Sequence, residues 1–368
     1  MRTLLLPCFL FISQVAVTQP QQSCLKSLDS LFMATFKSGE PGGSVLIAKD
    51  GKIFYRKGFG LEDLKTKKRI TSESLFNVGS ISKTFVAFAI LRLADEGKLS
   101  LGDDIYRYFP DFINTGIAKK ITIYHLLTHS SGLPDNRKIT EDSVFFLTAK
   151  DEENFAPLKK VDSLHFEPGE RFEYSNPAFN ALALIIEKVT SRKWQDYVKE
   201  TIFRPSGMVN SDITDGPHPQ SGVTHGYLKS GQQFLEKDYG EEPTFAAAGN
   251  GGVWSSVDEL WKYEQAIQNN IFLKKELVDK SRTAVTFPNW KDSVPPFIGL
   301  CWFITRQNGT RLIGHTGSQG GFRGDYQWLP EKNIFFVVLC NTPEPIEGLR
   351  EKSFDILQRF HWLAERVK

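Results

Sequence analysis

Ser80-Ile81-Ser82-Lys83 sets a hydroxyl and an amine three residues apart, just ahead of an apolar run. Phe85, Phe88, Ala89, Leu91, Leu93 and Ala94 recur at helical spacing, so a helix is expected to run to about Gly97. Residues three apart share a helix face. A serine and a lysine so placed can act as a nucleophile and the base that deprotonates it. The helix start helps, because its free N–H groups and partial positive charge stabilise a developing oxyanion and disfavour a protonated amine. Phe76, Ile81 and Phe85 flank Lys83 in the chain, and burial among such residues lowers an amine's pKa. The competing reading is an ordinary helix start, with Ser80 or Ser82 as N-cap and Lys83 in water. Ser-x-x-Lys is too short to decide between the two.

Two further short stretches bear on that choice. Tyr174-Ser175-Asn176 stands on a turn after Glu167-Pro168-Gly169-Glu170 and before an apolar helix, 181–189. His315-Thr316-Gly317-Ser318 stands at the end of an expected strand. Taken singly, Tyr174 reads equally as a core aromatic and His315 to Gly317 as a strand end.

The elements that must position these residues follow from the pattern. A helix is expected over 25–36, then strands 44–48 and 52–58 joined by Asp50-Gly51, a two-residue hairpin signal. Another helix is expected over 194–203. The segment 210–242 is polar and turn-rich, and such long excursions often border binding sites. Ala246 to Val253 is small and Gly-rich; without a lysine or strand–helix context it reads as close backbone packing near a cleft rather than a phosphate loop. Strands are expected over 298–306, 310–316, 324–329 and 333–341, and a last helix over 346–364. His125 and His129 share a metal-like spacing on a possible helix, but no glutamate follows His125, so structural roles are expected.

These motifs, in this order, resemble the serine beta-lactamase and penicillin-binding-protein family, in its class C-like and D-stereospecific peptidase or esterase branch. The resemblance extends to the Asp50-Gly51 hairpin, Gly97-Lys98-Leu99, the block from His125 to Pro134, and Glu167-Pro168-Gly169. It implies an α+β, beta-lactamase/transpeptidase-like fold. An antiparallel sheet from both chain ends (about 25–80 and 285–368) would be flanked by helices, beside a mainly helical lobe (about 81–284). It further implies that Ser80 attacks a carbonyl carbon, with Lys83 and Tyr174 sharing the proton work. Either a neutral lysine or a lysine-stabilised tyrosinate would be the base. Asn176 would bind the substrate amide and help fix Lys83. The N–H groups of Ser80 and Ser318 would form the oxyanion hole, and Thr316 and Gly317 would let substrate backbone lie along the strand. No cofactor and no metal are implied.

His315 departs from the pattern, because penicillin-processing enzymes usually carry lysine there. A histidine is only partly charged near neutral pH, so carboxylate-bearing beta-lactams should bind less well. Asn77 likewise replaces an acidic residue frequent before the class C nucleophile. The expected function is therefore an exported serine hydrolase of D-amino-acid peptides, amides or small esters. The alternatives are a true beta-lactamase and a non-catalytic binding module for cell-wall peptides.

Composition is that of an ordinary globular protein: 368 residues, 40% hydrophobic and 24% charged. A net charge of +2, from 45 basic and 43 acidic residues, gives no footprint for a nucleic-acid partner. The expected partner is a small molecule or short peptide; the oligomeric state is not legible. Arg2, the apolar run 4–12 and small residues near 18 read as a secretory signal peptide, 1–18, too short and broken for a membrane span. Cys24 after Ser23 weakly resembles a lipoprotein cleavage site, which Gln21 and Gln22 fit poorly. Cys301 and Cys340 lie in apolar runs and are expected as buried thiols, with a disulfide between them left open. A periplasmic or extracellular location follows from the export signal.

Overall fold

Two apolar runs far apart in the chain pair to make the centre of the main sheet. They are β1 (Gly43–Lys49) and β6 (Ile334–Cys340), antiparallel from Gly43↔Cys340 to Lys49↔Ile334. Both are buried on both faces, which is why they read as continuous apolar runs rather than as alternating strands. β2 (Lys52–Phe59) lies outside β1. β3 (Phe303–Gln307), β4 (Thr310–Gln319) and β5 (Phe322–Leu329) complete a six-stranded antiparallel sheet in the order β2-β1-β6-β5-β4-β3. The computed structural model describes residues 19–137, 144–213, 222–236, 246, 248–307, 309–342 and 346–363. The expected signal peptide lies outside the described residues.

One face of the sheet gives Val45, Ile47, Phe336 and Val338 to a cluster with α1 (Gln19–Thr35) and with Ile346, Leu349, Phe354 and Leu357 of the C-terminal helix. Cys24 of α1 is fully buried in that cluster. The opposite face gives Leu46, Ala48, Phe335 and Val337 to the larger core, which continues into the helical part of the chain.

At the centre of that core is α2 (Ser82–Asp95), in which Phe85, Val86, Phe88, Ala89, Ile90, Leu91 and Leu93 are all buried. A helix apolar on every side is a core helix, and it is held by packing rather than by caps. No side chain caps its N-terminus. Its end is set by Gly97, at φ +69, whose N–H bonds the Ala94 carbonyl.

Two expectations are corrected. The strand expected over 298–306 begins only at Phe303, because Gly299 to Trp302 forms a turn, with Gly299 N–H on the Trp302 carbonyl at 2.8 Å and Cys301 at φ +78. The helix expected over 194–203 is present, α-helical over Trp194–Val198 and π-helical over Lys199–Phe203. His125 and His129 do not share a helix: α3 (Ile123–Leu127) stops short of His129, which sits at φ +53. His125 Nδ1 instead serves the helix N-cap at Thr122, at 3.1 Å from its N–H. Among the described residues no group of acidic, His and Cys side chains is arranged to hold a metal, and no helix is long and apolar enough to cross a membrane. Cys24, Cys301 and Cys340 are buried free thiols.

Candidate active site

Ser80 sits in a 3-10 turn, Gly79–Ile81, that leads into α2. The turn needs Gly79 twice over. Its φ is +52, and a Cβ there would lie 2.5 Å from the Ser318 nitrogen. From the other side, a Cβ on Gly317 would lie 2.0 Å from the Val78 carbonyl oxygen and 3.4 Å from the Ser80 nitrogen. Two glycines thus let the start of α2 press against β4, and the amides of Ser80 and Ser318 border one corner. Two such donors can serve an oxyanion.

Ser80 Oγ accepts a hydrogen bond from Lys83 Nζ at 3.0 Å. Lys83 is fully buried and gives a second hydrogen bond to the Asn250 carbonyl at 2.6 Å. Burial is the main cause of its lowered pKa, about 7; the Cys301 thiol pushes back and the Arg137 guanidinium adds to the fall. Near neutral pH, then, much of Lys83 is a free amine with a lone pair next to a serine hydroxyl. The expectation of a solvated lysine is excluded here.

Tyr174 precedes the N-cap of α5 (Asn176–Thr190), where the Ser175 side chain accepts the Ala178 N–H and Pro177 sets the first turn. The Tyr174 ring lies 5.2 Å from Lys83 Nζ, and the phenol hydrogen-bonds Ser80. Burial of the hydroxyl end raises its pKa, and the Ser80 bond only partly offsets this. The residue as a whole is 37% exposed, so one side of the ring faces water until a ligand covers it.

His129 holds the Tyr174 segment in place. Its Nδ1 accepts the Ser175 N–H at 3.0 Å, its carbonyl accepts the Glu173 N–H at 2.8 Å, and its ring stacks on Tyr174 with centroids 4.4 Å apart. Burial and the Lys83 and His315 charges hold its pKa well below the usual value, so the ring is neutral.

The expectation of a partly charged His315 is also corrected. The residue is 2% exposed, and its Nδ1–H donates to the Thr316 carbonyl at 2.6 Å. Burial, reinforced by Lys83, lowers its pKa to about 3. The motif itself lies inside β4, which runs on to Gln319, rather than at a strand end. β3 pairs with β4 only as far as Phe303↔Gly314. Beyond Gly314, on that side, β4 has no strand partner among the described residues, and Thr316 to Ser318 form a free edge that could hydrogen-bond an extended ligand.

Asn176 opens α5 close to Tyr174, but the hydrogen bonds described for Lys83 go to Ser80 and to Asn250, not to Asn176. Sequence reasoning missed Asn250, which acts through its backbone carbonyl; His129 has the structural role expected of it, with the Ser175 N–H on its Nδ1. The Gly-rich stretch around Asn250 was read as close packing near a cleft. It does pack closely, for a Cβ on Gly249 would meet the Ala183 Cβ and the Phe179 carbonyl oxygen at 2.7 Å each.

A family model described as Beta-lactamase matches residues 25–359. The chain is 29% identical over 336 residues to Protein flp of Staphylococcus aureus (strain MRSA252), covering 88% of this chain and 65% of that protein. It thus spans about two thirds of the length of that relative. It is 29% identical over 323 residues to penicillin-binding protein 4* of Bacillus subtilis (strain 168), covering 82% of this chain and 68% of the other. The octameric penicillin-binding protein homologue from Pyrococcus abyssi superposes with a TM-score of 0.76 at 29% identity, covering 92% of this chain and 77% of the other. D-amino acid amidase from Ochrobactrum anthropi SV3, solved with D-phenylalanine, superposes with a TM-score of 0.74 at 20% identity, covering 92% and 99%, a likeness of fold.

Proposed function

The chain belongs to the beta-lactamase family, and from that premise we propose that it is a serine hydrolase acylated on Ser80, acting on D-amino-acid amides, short D-peptides or small esters. One observation carries the reading: a buried Lys83 with a pKa of about 7 hydrogen-bonds the Ser80 hydroxyl at 3.0 Å. Lys83 is taken as the base, because burial moves it toward the neutral form while the same burial moves Tyr174 away from the phenolate. Ser80 Oγ adds to the substrate carbonyl carbon as its proton passes to Lys83 Nζ. The carbonyl oxygen takes up negative charge between the Ser80 and Ser318 amides. The tetrahedral adduct collapses as the leaving amine or alcohol takes the proton, with the Tyr174 hydroxyl placed to relay it. Water then releases the acyl group by the same steps in reverse.

The substrate class rests on His315. A neutral imidazole with Nδ1 tied to its own chain offers no fixed cation to a substrate carboxylate. The fold shared with the D-amino acid amidase puts amides of D-amino acids first among candidates.

A substrate panel tests the reading. Purified protein is expected to hydrolyse D-phenylalanine amide or p-nitrophenyl acetate faster than nitrocefin, and a fluorophosphonate is expected to label the Ser80 peptide by mass spectrometry. Label on another serine would overturn the assignment. His315→Lys should raise nitrocefin acylation about 10- to 100-fold, as roughly 1.5–3 kcal/mol from a charge-assisted hydrogen bond would give. A wild type already efficient on nitrocefin would show that His315 does not select substrates.

A further inference from the structure

Asp151 is a carboxylate that the proposed chemistry does not use, and it is enclosed in the core beneath the site. It opens the short helix α4 (Asp151–Phe155) and is 8% exposed. Three donors from three other parts of the chain converge on it. Asn180 Nδ2 of α5 and the Gly249 backbone N–H reach Oδ1 at 2.7 and 2.8 Å. The Trp194 indole N–H reaches Oδ2 at 2.9 Å. Asn180 belongs to the helix whose start carries Tyr174 and Asn176. Gly249 is the residue before Asn250, whose carbonyl holds Lys83 Nζ at 2.6 Å.

We propose that Asp151 is a positioning residue for the Ser80–Lys83 pair, fixing the 248–252 turn against α5 so that the Asn250 carbonyl stays aimed at Lys83. Within the turn, the Gly251 and Gly252 N–H groups bond the Ala248 carbonyl at 3.0 and 2.8 Å, which sets the turn's shape but not its seat against α5. Its far end is tied to α2 through Val253 N–H on Ser82 Oγ at 3.0 Å, and its near end meets α5 through Gly249, where no side chain fits. Without the carboxylate, the Gly249 N–H and Asn180 amide lose their shared acceptor. The turn, with the Asn250 carbonyl on it, then shifts as a unit against α5. Lys83 Nζ would keep only its bond to Ser80, and the amine would no longer be held where it can take the hydroxyl proton.

Burial is the largest influence on the Asp151 carboxyl and raises its pKa to about 7; the Asn180, Gly249 and Trp194 hydrogen bonds pull the other way. The groups around Lys83 itself are Ser80, the Tyr174 ring and the Asn250 carbonyl, with Cys301, Arg137, His129 and His315 close enough to act through charge.

This inference rests on the reading of Ser80 as the acylated group, and its test separates the two. The rate of Ser80 labelling by a fluorophosphonate is followed from pH 5 to 10 in wild type, Asp151→Ala and Gly249→Ala, with p-nitrophenyl acetate kinetics and thermal melts beside it. Gly249→Ala breaks the same link from the other end, by forcing the turn off Ala183 and the Phe179 carbonyl. Both variants are expected to lose about 10- to 100-fold in labelling rate and kcat, with KM held within about twofold and a displaced pH profile. A merely structural role would lower the melting temperature and leave the rate and pH profile of the folded fraction unchanged, and that result overturns the inference. Should Asp151→Ala fail to fold, Gly249→Ala decides alone. Absence of Ser80 labelling in the wild type would instead remove the functional reading itself.

Discussion

Replacing Ser80 by alanine should abolish fluorophosphonate labelling and lower kcat/KM on any substrate the wild type turns over by roughly 10^4- to 10^6-fold, the range seen when a nucleophile is removed from a cooperating set. The size follows from the geometry. Lys83 and Tyr174 both meet at the Ser80 hydroxyl, so neither has a reacting partner once the oxygen is gone. Binding is expected to survive, because the amides of Ser80 and Ser318 are backbone groups that alanine keeps. A non-hydrolysable amide should therefore bind Ser80→Ala within a few-fold of wild type by calorimetry. The fold is expected to persist too: Oγ caps nothing in the Gly79–Ile81 turn or in α2. If hydrolysis continues in the variant at wild-type rate, acylation at Ser80 is not the reaction.

Lys83→Met should cost about 10^2- to 10^4-fold in acylation, the usual worth of a positioned general base, and should also change its pH dependence. In the wild type the rate should climb as pH rises through about 7, where Lys83 gives up its proton, and then level off. The sign follows from the shift: the base works when neutral, and burial has lowered the pKa, so activity is present above about 7 and lost below it. His129 and His315 cannot produce that limb, because both are already neutral well below it. Tyr174 and Cys301 cannot either, because both are raised. Asp151 is the one other group in this neighbourhood near 7, so the two substitutions read together assign the limb. In Lys83→Met the climb should vanish, not merely shrink. The same lowered pKa acts on stability. Between about 7 and the ordinary lysine value the unfolded chain binds more protons than the folded one, so Lys83 makes folding less favourable below this window and relieves that cost as pH rises through it. Lys83→Met should accordingly melt higher than wild type at pH 6, which differential scanning calorimetry would show.

How legible the site was in the chain depended on what carries each function. Ser80, Lys83, Tyr174 and His315 to Ser318 are side chains or glycines in short fixed patterns, and their order along the chain pointed to both fold and family. The Asn250 carbonyl has no such signature, since every residue carries one, and only the folded turn shows which of them meets Lys83. Asp151 stands in an ordinary acidic helix start, Asp-Glu-Glu, of which one member turns inward and the next is exposed. The charge on His315 was misread for a related reason. The residue type sets an intrinsic pKa near neutrality, but desolvation sets the actual one, and desolvation is a property of the packed neighbours. Strand positions near the end of the chain were nearly right because hairpin turns punctuate them. The start of β3 was not, because an apolar stretch that turns back on itself at Gly299 to Trp302 looks like a strand until its hydrogen bonds are known.

The pairing of β1 with β6 also has a consequence in time. Gly43 meets Cys340 across a long stretch of sequence, so the central ladder cannot close until the ribosome has delivered β6. Ser318, which lies against Gly79, arrives late as well. The nascent polypeptide therefore holds Ser80 and Lys83 for most of its synthesis without the strand that completes their corner. The corner around Ser80 is therefore completed only once β4 has been made, and the β1 edge stays unpaired, and open to wrong partners, until β6 follows.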